Sequence, residues 1–75
     1  MREGEEVKTV TPKQQRVLDF IIDFREREQY PPTMAEIQEG LGYRSINSVA
    51  DNLAALEKKR KIECKKGSPR AIKIL

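Results

Sequence analysis

From Pro12 onward, Val17, Leu18, Ile21, Ile22 and Phe24 recur among polar and charged residues at mostly helical spacing, which predicts an amphipathic helix running to about Glu28. Thr11 can cap its start, Pro12 suits the first helical position because its missing N–H would be unpaired anyway, and Gln14 completes a capping box. Tyr30-Pro31-Pro32 stops it, since Pro32 denies Pro31 the helical region and neither proline donates to a ladder. Thr33 with Glu36 three residues on repeats the start signal ahead of Ile37 and Leu41. That helix is short: Gly40 and Gly42 bracket Leu41, and at least one is expected to take the left-handed conformation that turns the chain. Ser45 is a third cap, and Val49, Leu53 and Leu56 repeat at i, i+4 and i+7 in a helix expected to last until about Arg60.

The period then changes. Ile62 and Cys64 alternate with Glu63 and Lys65, Ile72 and Ile74 alternate with Ala71 and Lys73, and Lys66-Gly67-Ser68-Pro69 supplies turn residues between them, so a β-hairpin is predicted. Two strands alone are marginal in water, so their isoleucines must pack on the helices, leaving the loop beside the third helix. The result is a mainly α domain with a small β-hairpin. Its second and third helices, joined by a tight glycine turn, form a helix-turn-helix candidate and the hairpin a wing: a three-helix winged helix-turn-helix. The core is expected from Val17, Leu18, Ile21, Ile37, Leu41, Val49, Leu53, Leu56, Ile62, Ile72 and Ile74.

Seventy-five residues make one domain with one economical core. Residues 1–10 are short, mixed in charge and contain Gly4, and read as a flexible leader before a folded unit over 11–75. Cys64 is the single cysteine and histidine is absent, which excludes disulfide scaffolds, ordinary zinc sites and Cys-His or Ser-His catalysis. No enzyme activity, cofactor, metal or small-molecule substrate is expected, and Cys64 reads as a half-buried strand residue. No apolar stretch approaches the roughly 20 residues that span a bilayer, so no membrane partner is expected and a cytoplasmic location is.

The net charge of +3 is unevenly spread. Residues 1–43 carry 6 basic and 9 acidic side chains, and residues 44–75 carry 9 basic and 3 acidic ones. A basic half beside an acidic half points to a polyanion met by one side of the fold, or simply to a solvated charged face. In a helix-turn-helix the second helix of the motif presents its first turns to base edges in the major groove. Ser45, Asn47, Ser48, Asp51 and Asn52 stand there. Asparagine can pair with adenine through two hydrogen bonds, serine can donate or accept, and aspartate can accept from cytosine. The plainer alternative is an exposed polar face with Ser45 as a cap. Arg44 at the turn, Lys58, Lys59, Arg60 and Lys61 at the helix end, and Lys65, Lys66 and Arg70 around the hairpin stand where phosphates would be. Cations at the end of the third helix also complement its dipole, a role smaller than the four there and the three around the hairpin require.

Residues 11–75 resemble the N-terminal DNA-binding domain of LexA repressors. The likeness is carried by Thr11-Pro12-Lys13-Gln14-Gln15, Tyr30-Pro31-Pro32-Thr33, Ala35-Glu36-Ile37, Leu41-Gly42-Tyr43-Arg44-Ser45, Leu53-Ala54-Ala55-Leu56-Glu57-Lys58-Lys59 and Pro69-Arg70-Ala71-Ile72-Lys73-Ile74-Leu75. It implies a winged fold, binding of a palindromic double-stranded operator as a dimer, and repression of DNA-damage-response (SOS) genes. It also implies base contacts from Ser45, Asn47, Ser48, Ala50 and Asp51; the placement of the cations, read separately, gives phosphate contacts from Arg44, Lys58, Lys59, Lys66 and Arg70. Ala50 stands where many members carry an acid and Ser48 where a small apolar residue is common, so a different operator is expected. Arg60 and Lys61 replace a usual glycine and aliphatic residue, which leaves open how the chain turns into the hairpin. LexA-like repressors continue into a peptidase domain with a serine-lysine pair. The chain reads either as a piece of such a repressor or as a free-standing regulator, bacterial or encoded by a phage or plasmid. A reading of another class is a winged-helix module that offers its basic face to an acidic protein.

Overall fold

The computed structural model describes residues 10–65 and 72–75. Helix α1 spans Pro12–Glu28, α2 Met34–Leu41 and α3 Ile46–Lys58, followed by strands β1 (Ile62–Cys64) and β2 (Ile72–Ile74). The strands pair antiparallel with Ile62 opposite Ile74, Glu63 opposite Lys73 and Cys64 opposite Ile72. This is the three-helix arrangement with a hairpin that the periodicity predicts.

The caps explain where the helices begin. Thr11 Oγ1 accepts from the Gln14 N–H at 3.1 Å while the Thr11 N–H donates to Gln14 Oε1 at 3.2 Å. Thr33 and Glu36 repeat the exchange at 3.1 and 2.9 Å. Each box satisfies two amide groups that the helix start leaves unpaired. Between them Pro32 is fully buried, so the segment that ends α1 also anchors to the core.

Val17 and Ile21 of α1, Ile37 of α2, Val49, Leu53 and Leu56 of α3, and Ile62 and Ile72 of the hairpin form one buried cluster. Leu18, Leu41 and Ile74, also expected inside, pack at its margin and are half-buried. Each fully buried aliphatic side chain is worth about 1.5–3 kcal/mol, so Ile62 and Ile72 supply what a two-stranded sheet lacks on its own. Helix α3 packs against α1, α2 and β1, and its inner face is thereby fixed.

The turns differ in chemistry. Gly42 ends α2 with φ 74, as the glycine pattern predicts, and Gly40 stays inside the helix. α3 ends at Lys58, two residues before the expected limit, because Lys59 and Arg60 enter the closing turn, Arg60 with φ 62.

Candidate nucleic-acid interface

The buried positions of α3 decide which of its residues face outward. With Val49, Leu53 and Leu56 sealed, the opposite line runs through Asn47, Asp51, Ala54 and Lys58, all exposed and spaced i, i+4, i+7 and i+11. Ser48, also exposed, flanks that line. The head of the stripe therefore carries hydrogen-bonding groups and its tail a cation.

Two of the expected base-reading residues hold local bonds. Ser45 Oγ accepts from the Asn47 N–H at 3.0 Å, so it caps α3, and its own hydroxyl proton is not used by that bond. Asn52 is half-buried and its Nδ2 donates to the Ser48 carbonyl at 2.8 Å, which turns its amide along the helix. Asn47, Ser48 and Asp51 are the three polar side chains of the set that project freely at the exposed head of the helix.

The cations divide in the same way. Arg44, Lys58, Arg60 and Lys61 are exposed and form no ion pair among the described residues. Lys59 is half-buried, and its Nζ donates to Gln14 Oε1 at 2.6 Å, joining the end of α3 to the first turn of α1 across 45 residues of sequence. Nothing in the local pattern announces that pairing; only the packing of α1 on α3 brings the two together. Lys66 and Arg70, with the turn Lys66-Gly67-Ser68-Pro69, lie outside the described residues.

Asp51 is the acidic residue of the α3 stripe, and a further acidic set lies on α1. Asp19, Asp23 and Glu26 are exposed on α1, opposite the buried stripe of Val17 and Ile21. Arg27 forms ion pairs there too, with Asp23 at 3.8 Å and with Glu28 at 3.7 Å. Cys64 is half-buried in β1, and burial first, then the Glu57 carboxylate, pushes its thiol up from the usual cysteine range, which makes it a poor nucleophile. Among the described residues no cluster of histidine, cysteine or carboxylate side chains could hold a metal, and no helix is long and apolar enough to cross a membrane.

A helix-turn-helix with an exposed polar head and a cationic tail occurs in many families, so its assignment turns on sequence likeness along the whole fold. A family model described as the LexA DNA binding domain matches residues 7–71. This chain belongs to the LexA DNA-binding domain family. The LexA repressor of Edwardsiella ictaluri is 44% identical over 69 residues, 92% of this chain and 34% of that protein. The LexA repressor of Vibrio campbellii is 45% identical over the same length with the same coverage, and that of Vibrio cholerae serotype O1 is 44% identical, with 33% of its length covered. The chain thus spans about a third of the LexA repressors it matches. Within the LexA family assignment, α2, the Gly42 turn and α3 are the helix-turn-helix and β1–β2 the wing.

Proposed function

We propose that this domain reads a double-stranded operator for a transcriptional repressor. α3 lies in the major groove with Asn47, Ser48 and Asp51 on base edges and Ser45 at the entry, while Arg44 and Lys58 hold phosphates on either side. Asn52 flanks the reading face, Lys59 holds the end of α3 to α1 through Gln14, and the wing, with Lys66 and Arg70, meets the backbone or minor groove. The observation that carries this reading is the stripe Asn47, Asp51, Ala54 and Lys58, which stays exposed because the opposite side of the same helix is sealed in the core. Two copies pair on a palindrome, and the regulated genes answer DNA damage in a bacterial cytoplasm. A protein-binding use of the basic face has no comparable support, since the polar head of α3 has no part in it.

Selection of bound duplexes from a random library tests this. The expected result is a half-site of a few defined bases, repeated in inverted order at about one helical turn. A chain that enriches no sequence and binds no duplex at low salt contradicts it.

A further inference from the structure

Three described residues take left-handed backbone conformations, each just past a helix: Gln29 with φ 69, Gly42 with φ 74 and Arg60 with φ 62. A side chain there crowds its own following carbonyl, so glycine holds such a turn better than any other residue. At α2 the position is filled by Gly42, and the Tyr43 N–H closes back on the Gln38 carbonyl at 3.0 Å. At α1 the position falls to Gln29, whose amide is used locally, donating to the Glu26 carbonyl at 3.0 Å. At α3 the same kind of turn is closed by Arg60 N–H to Glu57 O at 3.0 Å and Lys61 N–H to Leu56 O at 2.9 Å. Here the residue is a long cation, exposed, with no hydrogen bond or ion pair to its guanidinium among the described residues. Glu57 Oε2, three residues back, accepts from the Cys64 N–H at 3.4 Å, and Arg60 forms no ion pair with Glu57 or with Glu63, three residues on.

The turn itself gains nothing from arginine, and the side chain stands immediately past Lys58, the cationic tail of the α3 stripe. We infer that Arg60 is a contact to the phosphate backbone of the bound duplex, placed by its left-handed turn, and that the domain gives up fold stability at this position for it. The inference rests on the duplex-binding reading above.

Arg60→Gly, Arg60→Ala and Arg60→Lys are to be titrated against the selected duplex and a random one between about 50 and 200 mM salt, with thermal melts of each free protein. One phosphate contact adds about 0.9 to the log–log salt slope, hence roughly eightfold affinity near 0.1 M salt. Arg60→Gly and Arg60→Ala should both lose about that factor, equally on both duplexes, and the slope should fall by about 0.9. Arg60→Lys should keep the slope. Arg60→Gly should also melt above the wild type, which separates weaker binding from a damaged fold. A glycine variant with wild-type affinity and slope, or one weakened on the selected duplex alone, overturns the Arg60 assignment. A wild-type chain that binds no duplex overturns the underlying reading and Arg60 with it.

Discussion

Phe20 on α1 lies so close to Gly40 on α2 that its ring atoms Cε2 and Cζ occupy the space a Cβ at position 40 would need. Gly40 is helical, so its value lies in close approach, whereas Gly42 is needed for its positive φ. The Phe20 ring also has an aromatic neighbour. Its centroid is 6.0 Å from that of Phe24, which in turn meets Tyr30 edge-on at 5.9 Å.

Gly40→Ala is therefore expected to destabilise the domain. Alanine gains up to about 1 kcal/mol in helix propensity, but overpacking typically costs about 1–3 kcal/mol. A net loss near 1 kcal/mol would lower Tm by roughly 4–8 °C. In a Phe20→Leu background the clash is relieved and the same substitution should become neutral or stabilising. A loss of equal size in both backgrounds would show that Phe20 is not the obstacle.

Tyr43 packs against the core, and its hydroxyl is buried with no hydrogen-bond partner among the described residues. A buried polar group left unpaired costs about 1–3 kcal/mol. Tyr43→Phe should raise chemical-denaturation stability by about 1 kcal/mol while leaving DNA affinity unchanged. A clear loss of stability would reveal a bond to that oxygen.

Neighbouring lysines at the end of α3 should behave differently. Lys58→Ala should reduce the salt slope of duplex binding by about 0.9 with Tm unchanged. Lys59→Ala breaks the bond to Gln14 and should cost about 1 kcal/mol of stability, with the salt slope of duplex binding unchanged. If Lys59→Ala leaves the melt intact and takes the salt slope instead, Lys59 acts on phosphate and its contact to Gln14 is incidental.

Without DNA the chain should be a monomer. A stable interface hides about 1,200–2,000 Å² around an apolar centre. The large apolar residues left exposed among those described, Ile22, Tyr30, Ile46 and Leu75, come from four separate parts of the chain. Sedimentation equilibrium should give a single monomer mass, and a tight dimer would mean that part of this surface is an interface.

The helix starts were legible in the sequence because each capping box is a local signal, complete within four residues. The inner face of α3 was legible for a similar reason, since the i, i+4, i+7 spacing of Val49, Leu53 and Leu56 states which side is buried. Contacts between elements were not. The pairing of Lys59 with Gln14 and the pressing of Phe20 on Gly40 depend on how α1 is set against the other helices, and no pattern within either segment specifies that angle. Arg60 illustrates a third case. The absence of glycine left the turn open, and the hydrogen bonds of Arg60 and Lys61 to the end of α3 closed it in spite of the side chain. Asn52 looked like its neighbours in composition, but its place beside the buried edge turns its amide onto the Ser48 carbonyl.

The central claim, that the exposed head of α3 reads bases, is tested most directly by comparing Asn47→Ala with the wild type on the selected duplex and on random DNA. Removal of a base contact should cost about 1–3 kcal/mol on the selected duplex and almost nothing on random DNA, with the salt slope preserved. Equal losses on both duplexes would contradict the claim, because Asn47 would then serve the backbone or the fold rather than the sequence.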